Sequence, residues 1–233
     1  MGLLGASGAC GGGTAPPSVP SGPPALGAHV LLAQDQGKGT GPATTDPIAT
    51  HPQGSLLLAV SMGRNANFVV PTDSYKNDWA PIGSRHPYAD GPFYTAMWSA
   101  ARARGGTGHT LSAKKPSDPL DEISLAFIEI ANATQIEDAI YAYPKRGSPN
   151  TPGTVTTRGP ATLIAVWSGD AADLAHTAVP GDGFEVIESY LALGPTSGVQ
   201  IAIAAKQVGA GTHSLTWTTT PVQGAACYLI AVK

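Results

Sequence analysis

The chain has 233 residues, a net charge of −3 and only 12% charged residues. That length allows one large β domain or two small ones, and the charge balance excludes a basic nucleic-acid surface or attachment to an anionic membrane. The 29 glycines and 21 prolines follow no Gly-X-Y period, which excludes collagen, and no apolar run is long enough to cross a bilayer.

Residues 1–27 read MGLLGASGACGGGTAPPSVPSGPPALG. Leu3-Leu4 followed by Ala-Ser-Gly-Ala-Cys faintly echoes a lipoprotein signal. The basic leader and longer apolar core that such a signal needs are missing. The segment reads instead as an extended Gly/Pro arm, of a kind that orders on a neighbouring subunit.

Strands follow. In residues 54–64 (GSLLLAVSMGR) Leu56, Leu58 and Val60 alternate with Leu57 and Ala59, a strand apolar on both faces. Ile123, Leu125 and Phe127, with the polar Ser124 and Glu129, predict a half-buried strand. Ile201 and Ile203 alternate with Ala202 and Ala204. Leu215 and Trp217 alternate with Ser214, Thr216 and Thr218, another half-buried pattern. Turn signals such as ADGP, ARGGTGH, KRGSPNTPG and VPGDG separate these runs at sandwich-like spacing. Helix is scarce; residues 168–176 (SGDAADLAH) are expected to make one turn.

The chain also repeats itself. GGTGHTLSAKK (105–115) returns as GAGTHSLTWT (209–218), GSLLLAVSMGR as PATLIAVWSGD (160–170), and ISLAFIEIA (123–131) as ACYLIAV (226–232). The order is kept at an offset of 100–106 residues, which reads as an old internal duplication. Each half supplies about five strands and one apolar face, so packing the halves face to face buries both. The expectation is an all-β antiparallel sandwich of about ten strands over residues 28–233, with pseudo-repeats at about 45–132 and 154–233 joined through residues 143–154. Two tandem sandwiches are the alternative.

Four segments carry a resemblance: a T-x-x-x-G stretch before the LLLAV strand, the turn PTDSYKNDW, the strand FIEIAN, and the C-terminal GTHSLTWT…ACYLIAV. Together they resemble a family of poorly characterised β-sandwich proteins of phages and bacteria, over about residues 28–233. There the turn commonly reads D-S-x-G-N-x-Y and the central strand ends L-E-Y-S-G. Here Lys76 stands in place of the turn glycine, and EIAN replaces EYSG. The resemblance implies a jelly-roll-like sandwich on virion or cell surfaces, and it implies no catalytic residues.

The chemistry-bearing residues are sparse. No G-x-S-x-G is present. His109 and His213 hold equivalent places in the repeat, after a glycine turn. They read as strand-start caps or as paired ligands. Asp73 and Asp78, and Asp170, Asp173 and Asp182 in the other half, lack a D-x-D-x-D-G run; they read as turn formers, and no metal or cofactor is expected. Asp121 and Glu122 point to opposite faces of a strand and make no acid pair. Arg102 and Arg104 share one solvated face. Cys10 and Cys227 fit no zinc spacing, and Cys227 reads as a small buried hydrophobe. Asn132-Ala133-Thr134 matches a glycosylation sequon. Tyr75, Trp79, Tyr88 and Tyr94, with Phe93 among them, form an aromatic cluster that exposed loops would offer to a glycan; alternatively Trp79, Phe93 and Trp98 are core.

The functional expectation is a non-enzymatic structural protein of a bacteriophage virion, a head decoration or tail-associated component anchored through its arm. Its partners are then other virion proteins and further copies of itself. The alternative is a carbohydrate-binding or adhesin module at a cell surface.

Overall fold

The structure, a computed structural model, describes residues 22–39, 41–64, 69–88, 93–115, 121–169, 176–192, 194 and 197–233. Most of the expected arm, residues 1–21, lies outside them. Among the described residues all eighteen regular elements are strands. The first half holds β1 (Ala25–Gln34), β2 (Ala43–Thr44), β3 (Ser55–Arg64), β4 (Thr72–Asp73), β5 (Ala80–Pro81), β6 (His86–Tyr88), β7 (Phe93–Ala103), β8 (Leu111–Ala113) and β9 (Ile123–Ala131). The second holds β10 (Ile136–Ala142), β11 (Thr154–Thr157), β12 (Ala161–Gly169), β13 (Thr177–Pro180), β14 (Glu185–Tyr190), β15 (Ile201–Val208), β16 (Gly211–Ser214), β17 (Trp217–Thr220) and β18 (Ala225–Val232).

The duplication is written into the topology. One large antiparallel sheet runs β1-β9-β3-β7-β5, with β6 also on β7; the other runs β10-β18-β12-β15-β14. The two orders superpose strand for strand. Each half also folds small strands over the outer face of its own sheet, β2-β8-β4 in the first half and the pairs β11-β16 and β13-β17 in the second. A large sheet ordered first-last-third-seventh with a smaller sheet closing over it is the strand order of a jelly roll.

Register repeats too. Val60 of β3 lies between Met97 of β7 and Ala126 of β9, as Val166 of β12 lies between Ile203 of β15 and Tyr228 of β18. Both Val60/Val166 and Met97/Ile203 are offset by 106 positions, the offset read between the LLLAV and LIAV strands.

The continuous apolar runs of the central strands now have their physical reason: both of their faces are buried. Leu56, Leu58 and Val60 meet Ile164, Val166, Ile201 and Ile203 in the core between the two large sheets. On the opposite face of β3, Leu57 and Ala59 join Trp98, Leu111 and Phe127 beneath the small sheet of the first half. Leu163, Trp167, Ala202 and Leu229 do the same beneath the small strands of the second, with Leu215 and Trp217. Three stacked apolar layers result. Fully burying one such Leu or Ile side chain stabilises the fold by about 1.5–3 kcal/mol.

Five expectations change. The two large sheets contain eleven strands (six and five), and further short strands cap their outer faces, because each sheet has two greasy faces rather than one. Every residue of β9 is buried, not half of them; Ser124 is accommodated by donating across the sandwich to the Val199 carbonyl at 2.6 Å. Ser168 and Gly169 complete β12 instead of starting a helical turn, and residues 170–175 lie outside the described ones. The segment 143–154 lies within the second half, between β10 and β11, because β10 already pairs with β18. Leu215 and Trp217 are both buried with exposed neighbours, yet they fall on either side of a break between β16 and β17.

Candidate functional site

The densest polar constellation sits on the outer side of the first sheet, where the loop after β4 meets the turn before β8. It is built on Asp73. The carboxylate accepts bonds from the backbone amides of Tyr75 (2.8 Å) and Asn77 (3.0 Å), from Asn77 Nδ2 (3.0 Å) and from Trp79 Nε1 (2.8 Å). Its Oδ1 also lies 3.0 Å from His109 Nε2. On the other side of the ring, His109 Nδ1 lies 2.8 Å from Thr50 Oγ1, and that hydroxyl accepts a bond from the Gly106 amide. Burial works against ionising Asp73, but the bonds from His109, Trp79, Asn77 and Tyr75 outweigh it and hold its pKa at about 2.

Connected in this way, Asp73, His109 and Thr50 have the wiring of a carboxylate–imidazole–hydroxyl relay. Its surroundings make it a strut. Both His109 and the Asp73 side chain have zero exposure, and the imidazole is sandwiched edge-on by Tyr75 at 4.6 Å and Phe127 at 4.8 Å. The group ties β4, β8 and the loop before β3 onto the outer face of the sheet.

The local backbone explains two oddities of the sequence. Lys76 occupies the left-handed region at φ +56°, and Asn132, which closes β9, does so at φ +58°. Glycine takes this conformation without steric cost, and Asn tolerates it better than most side chains. Lys76 and Asn132 stand where the D-S-x-G-N and E-Y-S-G patterns of the resemblance carry glycine; Ile130 and Ala131 differ from the second pattern as well.

The aromatic cluster divides. Tyr75 and Trp79 are half-buried and face inward: Tyr75 Oη donates to the Thr107 carbonyl, and the Trp79 ring meets Phe127 edge-on at 6.3 Å. Tyr94 lies apart on β7, with the Arg85 guanidinium 4.8 Å over its ring. The Tyr88 side chain lies outside the described residues. Trp98 is core, and Phe93 packs partly buried against the inter-sheet core.

The remaining candidates are scattered. His213 is half-buried within β16, paired with Val155 and with Nε2 3.0 Å from Thr157 Oγ1; it and His109 lie in different halves. Asp78 and Asp182 are exposed; Asp182 is left-handed at φ +57° and its carbonyl accepts a bond from Lys206 Nζ. Asp170 and Asp173 lie outside the described residues. Among the described residues no three His, Cys, Asp or Glu side chains converge on one point that could hold a metal. Glu122 is buried and accepts bonds from Ser197 Oγ and the Gly198 amide. Glu129 is buried too, accepting from Ser55 Oγ at 2.6 Å and the His51 amide at 2.7 Å. Cys227 is a buried thiol whose pKa burial pushes up.

A second kind of site, which the residue pattern did not flag, lies along the seams where the two large sheets meet edge to edge. At one seam β1 runs beside β14. His29 Nδ1 reaches across to Glu188 Oε1 at 2.7 Å, and Tyr190 Oη donates to Asp35 at 2.7 Å. At the opposite seam β6 runs beside β18. There His86 stacks on Tyr141 at 3.6 Å and 11°, Tyr228 lies 4.8 Å from Tyr141, and Tyr141 Oη donates to the Pro87 carbonyl.

The pairing register shows why the seams differ. His29 faces Ile128 on β9, and Ala139 faces the equivalent Ile230 on β18. Glu188 faces Ile203 on β15, while Ile82 bonds through its amide to the equivalent Met97. Ala139 and Ile82 therefore stand where His29 and Glu188 meet. With no ion pair at that position, a half-open groove of about 300 Å³ remains beside the Tyr141–Pro87 hydrogen bond, lined by Ile82, Met97, Ile230 and the rings of His86, Tyr141 and Tyr228. Only comparison of the two halves in three dimensions could have found it, because β1 and β10 share no obvious sequence match.

No family model, no curated protein and no solved structure matches the chain.

Proposed function

We propose that this chain is a non-enzymatic structural protein of a bacteriophage virion, a head decoration or tail-associated component fastened to its neighbours through the N-terminal arm. The observation that carries this reading is the architecture: two jelly rolls of one duplicated design, placed back to back on a shared core. The jelly roll is a building form of viral shells, and the step from fold to role is an analogy of architecture.

Three further observations support it. Among the described residues the relay-like group Asp73–His109–Thr50 is spent on holding loops. The left-handed Lys76 and Asn132 stand where the resembling phage and bacterial family places glycine. The arm enters the fold at a fixed point: Asn132 Nδ2 donates to the Pro23 carbonyl, and the chain then zips into β1 at the edge of a large sheet. An extension rooted on an edge strand is well placed to reach a neighbouring subunit.

The test is a density-gradient separation of native lysate, probed for this chain. The expected result is banding with nuclease-resistant, DNA-containing particles. Recovery only in the soluble or envelope fractions overturns the reading.

A further inference from the structure

The two seams of the sandwich began as copies of one another and now differ. One is closed by His29–Glu188. The other is an uncharged groove floored by aliphatic side chains and walled by three aromatic rings. Burial lowers the pKa of His86 and raises that of Tyr141 to about 12, so both rings are neutral at physiological pH. Its volume of about 300 Å³ is at the lower end of the range for specific pockets.

A complementary segment exists in the chain itself. Residues 14–21 read TAPPSVPS and continue into Gly22-Pro23-Pro24, so that Pro17 and Pro20 make one P-x-x-P and Pro20 and Pro23 the next. Residues 1–28 contain no Asp, Glu, Lys or Arg. Proline-rich segments favour the polyproline II form, lose little entropy on docking, and bind characteristically in aromatic-lined grooves.

Reach decides which copy supplies the segment. Gly22 lies beside Asn132, next to the row that joins Ala25, Ala131, Ser55 and Ala103. The groove lies at Met97, six residues along β7 and three strands across, about 25 Å away at ~3.3 Å per residue and ~4.8 Å per strand. Pro20 and Pro17 are two and five residues from Gly22, and even a fully extended chain at ~3.6 Å per residue gives them a reach of at most ~18 Å. Both prolines of the first P-x-x-P therefore fall short of the chain's own groove.

We infer that the groove at the His86/Tyr141 seam receives the proline-rich arm, residues 14–21, of a second copy of this chain. This rests on the arm reading proposed above and names the surface on which the arm docks.

The experiment is sedimentation of the full-length chain over a range of concentrations, compared with three variants. Ala139 is exposed at the rim of the groove, so Ala139→Trp fills the groove without burying bulk in the core. Pro17→Ser/Pro20→Ser changes the arm sequence alone, and the third variant lacks residues 1–21. The expected result is concentration-dependent association of the native chain, weakened roughly tenfold or more by each change and competed by a synthetic peptide of residues 14–21. Loss of association on deleting residues 1–21, with Ala139→Trp and the proline variant unaffected, overturns the groove assignment and leaves the arm reading standing. Association unchanged by the deletion overturns both. A native chain that stays monomeric overturns the groove assignment, and particle incorporation of the deleted form then tests the arm separately.

Discussion

Lys76 and Asp73 are neighbours in one turn and pull stability in opposite directions. A non-glycine residue at φ +56° costs roughly 1 kcal/mol relative to glycine. Lys76→Gly is therefore expected to raise thermal stability by about 0.5–1 kcal/mol, less the greater freedom glycine gives the unfolded chain; urea denaturation reads this, and a fall in stability contradicts it. Asp73 is the buried anchor of five hydrogen bonds, with a pKa lowered from 3.8 to about 2. Because the folded value is the lower one, its contribution is fully present above pH ~4 and disappears as pH falls toward 2. Asp73→Ala is expected to cost about 3 kcal/mol at pH 7, through stranded donors on His109 and Trp79, and to flatten the acid limb of the pH–stability curve between about 4 and 2. An acid limb unchanged in the variant rules this out. The turn itself was legible in the sequence, since PTDSYKND is rich in turn formers. That Asp73, Tyr75, Trp79 and His109 would converge was not, because His109 comes thirty-six residues after Asp73 and no local pattern links them.

At the scale of elements, legibility followed burial. The strands around Leu58, Val166, Ile203 and Ile230 announce themselves as apolar runs because they are covered on both sides. The short strands β2, β4, β5 and β13 carry two to four residues each and have almost no periodicity to detect. The edge strands β1, β10 and β14 were harder still: their ladders are broken by irregularities between Leu26 and His29, Ile136 and Asp138, and Val186 and Glu188. Such bulges interrupt the alternation a reader looks for, and they also guard exposed edges against stray pairing. Native-state amide exchange should respect this order. The central strands β3, β9, β12 and β18 are expected to exchange slowest, and β1, β10 and β14 measurably faster. Equal protection across a large sheet would show that the edges are more firmly held than their position in the fold implies.

For the whole molecule, the duplication read from GGTGH and GAGTH extends to strand order and register, but its boundaries do not fall where the matching segments ended. The large sheets take in β1 at residue 25 and β10 at residue 136, each ahead of the first sequence match; both are edge strands only partly buried, so packing constrains their residues less than those of the core. One core is shared between halves that would each expose it alone. Heating should therefore melt both halves in a single cooperative transition, with calorimetric and van't Hoff enthalpies equal; two resolved transitions would mean the halves are independent domains. A shared core in a chain with only 12% charged residues is compatible with the proposed role in a particle. The most direct test of that role is quantitative mass spectrometry of purified, nuclease-treated particles. The account predicts this chain as a stoichiometric component, present in a fixed ratio to a major head or tail protein. Its absence from such particles, while it remains abundant elsewhere in the lysate, would contradict the assignment.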